Sequence, residues 1–111
     1  MLHKNLTKER WQKRSFIEQM ANVGAEVGRA INCRGKDLDK SQKAFERAIE
    51  LLDLTIQDQR NHNSRLIEIC RVKEELVDYF ISGDKNYSST DKKWNDYFYS
   101  FNYALALRAG S

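Results

Sequence analysis

Apolar residues recur every three or four positions through four stretches of a chain that contains no proline, and this combination restricts the fold to packed helices. Leu, Ile, Glu, Lys, Arg and Gln are frequent, and they lose little rotamer freedom in a helix. The expected fold class is all-α.

The first stretch begins with Ser15 and Glu18, the spacing of a capping box, in which hydroxyl and carboxylate satisfy free N–H groups at a helix start. From there Phe16, Met20, Val23, Val27 and Ile31 form one stripe to about Cys33, with Gly35 as the stop and residues 4 to 14 as a polar extension. The second stretch runs from about Asp39 to Asp58, with Phe45, Ala48, Ile49, Leu52 and Ile56 on one face and Leu51 alongside. QRNHNS then breaks the pattern with side chains that compete for backbone hydrogen bonds. A third helix is expected from about Ser64 to Ile81, with the stripe Leu66, Ile69, Cys70, Leu76, Val77 and Phe80, and Gly83 as its stop. After GDKNYSST, Ser89 or Thr90 caps a fourth, ending near Arg108, with Trp94, Tyr97, Phe98, Phe101, Ala104 and Leu105 inward. Helices of about 27 Å joined by short connections predict an antiparallel up-down-up-down four-helix bundle over residues 15–111, preceded by a basic N-terminal arm over 1–14.

A length of 111 residues suits one domain with a modest core. There is no apolar run of the ~18 residues that a membrane span needs, and MLHKNLTKERW lacks the apolar block of a signal peptide. The expected location is cytoplasmic, without membrane partners. Cys33 and Cys70, with no CxxC, suit reduced thiols in a core.

Little in the sequence serves catalysis. A di-metal site in a helical bundle needs Glu-x-x-His on two helices, and neither His3 nor His62 has a glutamate three positions before it. Asp58 and His62 share a helix face but are better read as a solvated helix end. Arg60-Asn61-His62 begins like the motif of HEPN-type helical RNases, with the wrong spacing to the histidine. No Gly-rich phosphate loop joins a strand to a helix, and no acid, base and nucleophile stand together. The expectation is no catalytic, cofactor or metal residue.

Four features ask for another explanation. Ala21, Gly24, Ala25 and Gly28 interleave as small residues within a helix, where each glycine costs about 1 kcal/mol, so a close helix approach is expected and Gly28→Leu should overpack. Lys73 falls at a core angle, its stem lying on the core or its ammonium paired with a carboxylate such as Glu26. Residues 1–36 carry eight Lys/Arg against three Glu. Lys4, Lys8, Arg10, Lys13 and Arg14 surround Trp11, and with Arg29 and Arg34 they form a candidate nucleic-acid surface that combines phosphate attraction with base stacking. On the last helix, Tyr99, Tyr103, Ala106 and Leu107 make a second apolar face, a candidate oligomer interface.

NVGAEVGRAI (22–31), RAIELLDLTIQD (47–58), RLIEICRVKEELVDYF (65–80) and GDKNYSST (83–90) resemble a family of short, uncharacterised bacterial and archaeal helical proteins, which implies only a compact helical protein. In size and helix order the chain is more distantly similar to the four-helix-bundle group of ribosomal-intervening-sequence proteins and diversity-generating-retroelement accessory proteins. That similarity implies barrel-like pentamers and, for the retroelement members, binding to RNA and a reverse transcriptase. No RNA-contacting residue carries over. The leading expectation is a non-enzymatic accessory protein acting through protein interaction and self-association; the alternative is RNA binding through the arm and first long helix.

Overall fold

The computed structural model describes residues 8–82 and 91–110, which form helices and the turns between them. A short helix α1 (Lys8–Gln12) precedes α2 (Phe16–Cys33) and α3 (Leu38–Gln57). A 3₁₀ turn (Gln59–Asn61) leads into α4 (Ser64–Val77), which continues as a π-helical turn (Asp78–Ser82), and α5 spans Asp91–Gly110. The protein is all-helical, with no strand among the described residues. Lys4, His3, Gly83, Ser89 and Thr90 lie outside them.

Local chemistry sets the helix starts. The Ser15 capping box forms as expected, Glu18 N–H donating to Ser15 Oγ at 3.1 Å and Ser15 N–H to Glu18 Oε1 at 2.8 Å. Asp37 caps α3 through the Lys40 N–H, and Asn63 caps α4 through the Arg65 N–H. The QRNHNS break becomes the 3₁₀ turn, whose first free N–H, that of Arg60, is taken by Asp58 Oδ1 at 3.0 Å.

Helix α2 lies between α3 and α5, and α4 packs on α3. Met20, Val23, Val27, Leu52, Ile69, Leu76, Trp94 and Phe98 fill the core. α4 meets α5 through side chains: Tyr97 Oη donates to Glu68 Oε2 at 2.5 Å, and Trp94 lies 6.5 Å from Tyr79 between ring centres. The π turn lets both Tyr79 and Phe80 pack towards the core, Phe80 against Phe45 at 4.9 Å.

One expectation about this packing needs correction, and the carboxylate beside Lys73 is Asp53 in place of Glu26. A Cβ placed on Gly24 would stand 2.6 Å from Phe98 Cβ, so α2 and α5 approach closely there. Gly28 meets nothing within 4 Å, because it opens onto the surface between the helices. The close approach therefore belongs to Gly24, and leucine at 28 has room. Lys73 pairs with Asp53 at 2.5 Å in a half-exposed position, while Glu26 pairs with Arg29 at 2.7 Å and Arg47 at 3.6 Å.

Gly24→Ala should therefore lose about 1–3 kcal/mol through overpacking against Phe98, whereas Gly28→Ala should gain up to ~1 kcal/mol through helix propensity. Urea denaturation of the two variants beside the parent measures both, and opposite signs are expected.

Candidate functional site

Two surfaces draw on the residues singled out in the sequence: a groove between α2 and α5, and the end of the molecule where α1 docks. In the groove, Gly24, Ala25, Gly28, Arg29 and Asn32 of α2 face Asn95, Phe98, Tyr99 and Asn102 of α5 around about 530 Å³ of space. Each set recurs at helical three- and four-residue spacing, so the two helices present parallel walls. The missing side chain of Gly28 deepens the trough, while the space beside Gly24 is taken by Phe98. Beside it Tyr99, Tyr103 and Leu107 are 63%, 56% and 58% exposed, with the two tyrosine rings stacked at 6.3 Å. Ala106 is exposed as well. The four residues of the expected second face thus point away from the chain's own core.

The α1 end is built around a buried polar knot. Trp11 is 2% exposed, and its Nε1 donates to Thr55 Oγ1 at 3.0 Å. Gln19 Nε2 donates to the Trp11 carbonyl at 3.2 Å and to Asp58 Oδ2 at 2.9 Å, while Asn61 Nδ2 donates to Gln19 Oε1 at 3.1 Å. Arg60 grips Asp58 through Nε and Nη2, and its Nη2 also reaches the carbonyls of Gln12 and Arg14. The Arg60 guanidinium, helped by Gln19 against the opposing effect of burial, holds the Asp58 carboxyl down at about 2. Asp58 and His62 are therefore committed elsewhere than to a shared ligand: His62 Nε2 lies 2.7 Å from the Ile56 carbonyl. Among the described residues no three His, Cys, Asp or Glu side chains gather in a way that could hold a metal ion. Cys33 and Cys70 are free, half-buried thiols.

The structure divides the candidate nucleic-acid residues. Lys8, Arg10, Lys13 and Arg14 are exposed around α1. Trp11 is a core residue and no stacking platform, because its ring fills the space against α3 and its N–H is used by Thr55. Arg29 pairs with Glu26 on α2. Arg34 sits at the opposite end, its guanidinium 5.0 Å from the Tyr79 ring centre and 4.5 Å from that of Phe80, with Nη1 donating to Asp91 Oδ1 at 3.3 Å. Burial, then the hydrogen bond to Asp91, pushes the Tyr79 phenol up, so it stays protonated and donates to the same carboxylate. Arg34 thus joins the end of α2 to the start of α5 and does not extend the α1 surface.

No protein family, curated protein or solved structure matches the chain. Its geometry stands by itself. No described helix is long and apolar enough to cross a membrane.

The knot predicts a pH signature. Asp58 titrates at about 2 in the fold, below its ordinary 3.8, so its contribution is complete above pH 3.8 and is lost as pH falls towards 2. The amount is about 2 kcal/mol. Asp58→Asn should flatten that segment of a stability profile followed by chemical denaturation. Asp58→Ala should cost about 3 kcal/mol at neutral pH, because Arg60 and Gln19 lose a buried partner.

Proposed function

We propose that the protein is a cytoplasmic, non-enzymatic accessory protein, an antiparallel up-down-up-down four-helix bundle that works by protein interaction and pairs with a second copy of itself. The observation that carries this reading is a ridge of Tyr99, Tyr103 and Leu107 standing beside a trough floored by Gly24 and Gly28. A two-fold axis between copies would seat each ridge in the other's trough, the self-complementary arrangement of a symmetric dimer. Tyrosines suit such a contact, giving large area at low entropic cost while their hydroxyls remain hydrogen-bonded. The exposed amides of Asn32, Asn95 and Asn102, which make no side-chain hydrogen bond among the described residues, offer polar partners at the rim.

Area sets the expected strength. With roughly 200 Å² per large side chain, the three ridge residues leave on the order of 350 Å² to bury. That is within the size of functional apolar patches but below the ~800 Å² per partner of a standard interface, even before the trough is added. The expected dimer is weak and reversible, in the micromolar range at best, since area alone does not fix affinity.

Sedimentation velocity from one to one hundred micromolar, a range of about two decades around that affinity, should show a concentration-dependent monomer–dimer equilibrium. Tyr99→Glu with Tyr103→Glu, and separately Gly28→Gln, which fills the trough, should each leave a folded monomer. A parent that stays monomeric throughout defeats the proposal.

The second reading, RNA binding, draws on Lys8, Arg10, Lys13 and Arg14, exposed at the end that also carries Arg60, Arg65 and Arg108. Fluorescence anisotropy with a labelled oligonucleotide should then fall steeply as salt rises and drop when those four residues become Gln. Absence of any signal at low salt eliminates this reading.

A further inference from the structure

Arginines from three separate elements converge where α2 begins. Arg60 from the 3₁₀ turn, Arg65 from α4 and Arg108 from α5 line a pocket of about 250 Å³ together with Ser15, Phe16, Ile17 and Asn61, and no acidic residue is part of its wall. The three cations differ in how they are balanced. Arg60 is matched by Asp58 at 2.6 Å. Arg108 donates to Ser15 Oγ at 3.2 Å, and Glu18, drawn onto the Ser15 N–H, feels its charge and that of Arg14. Arg65 has no carboxylate partner among the described residues; its guanidinium lies 4.7 Å from the ring centre of Phe16. Arg14, next to Ser15, shares Glu18 with Arg108 and lies 5.9 Å from the Trp11 ring centre.

Such a set is not a by-product of the helix start, since the capping box already uses the Ser15 hydroxyl and the Glu18 carboxylate there. Nor is it required by the knot, which Arg60 completes alone. The contact with the Phe16 ring restrains the Arg65 side chain beside the pocket. A planar fork presented in this way matches an oxyanion, and most of all phosphate.

We propose that the pocket between the start of α2, Arg65 and Arg108 is a binding site for a phosphate group, either a phosphate monoester or free inorganic phosphate. Arg65 is the principal donor, Arg108 draws the group in from the other flank, and Arg14 supplies charge at the rim. The site is separate from the α2–α5 groove, so it stands or falls independently of self-association.

The test is titration of the full chain with inorganic phosphate, AMP and adenosine, followed by two-dimensional amide NMR and calorimetry. Saturable shifts at Ser15, Phe16 and Arg65 are expected with phosphate and AMP but not with adenosine. AMP tighter than phosphate identifies a monoester site; equal affinities identify a site for the free anion. Arg65→Gln, an exposed substitution outside the knot, should weaken binding by about tenfold, the value of one charge-assisted hydrogen bond. Arg65→Lys should weaken it less. Lys43→Gln removes the same charge on α3, towards the opposite end of α2, and should change nothing. No saturable binding at millimolar ligand, equal binding of adenosine, or an equal loss in Lys43→Gln would each overturn the site. Unchanged affinity in a folded Arg65→Gln would do the same.

Discussion

Everything at the α1 end depends on one buried carboxylate. Asp58 accepts from Gln19 of α2 and from the Arg60 backbone and guanidinium, and Arg60 in turn binds the carbonyls that close α1. Removing a carboxylate from water is costly, and only a set of partners that fills nearly every lone pair makes it tolerable. Here that condition is met by residues from three parts of the chain, so the knot fixes where α1 lies, how α3 ends and how α4 begins. The polar specificity of this region is unusual in a core otherwise filled by Met20, Val23, Leu52, Ile69 and Phe98.

The opposite end uses a different device. There Arg34 lies over Tyr79 and Phe80 and reaches Asp91, so that cation–aromatic contact and an ion pair together tie α2 to α5. Between the two ends, Gly24 lets α5 rest almost against the α2 backbone. The same closeness leaves the trough shallow in the middle and open at Gly28, so the groove is a direct product of how α5 packs.

Much of this was legible in the sequence, and the misses share a cause. The four long helices, the Ser15 capping box, the 59–63 break and the outward face of Tyr99, Tyr103 and Leu107 follow from periodicity and local hydrogen bonding, which nearby residues decide. What periodicity could not give is which partner a polar residue finds. Trp11 reads as part of a basic arm because its neighbours are charged, yet the Thr55 hydroxyl that claims it is 44 residues away. Gln19 and Thr55, both fully buried, are polar residues at core angles that a stripe of apolar residues passes over. Gly24 and Gly28 look equivalent in sequence, and only the angle of α5 separates them. The arginine pocket has no linear signature at all, because its three cations come from positions 60, 65 and 108. For Arg60, the signal that was available was the Asp-x-Arg spacing immediately after a helix, which places a capping carboxylate beside its own counter-ion.

The burial of Trp11 also orders events during synthesis. The segment that carries it is made before its partners, since the hydroxyl that binds it is that of Thr55 and the guanidinium that closes over Gln12 comes from Arg60, separations of 44 and 48 residues. At ~5–20 residues per second, several seconds pass before those partners exist. The indole of Trp11 is therefore made before the partners that bury it. The knot ends that exposure when Arg60 arrives, so the chain's last step at this end is to withdraw its own most adhesive residue.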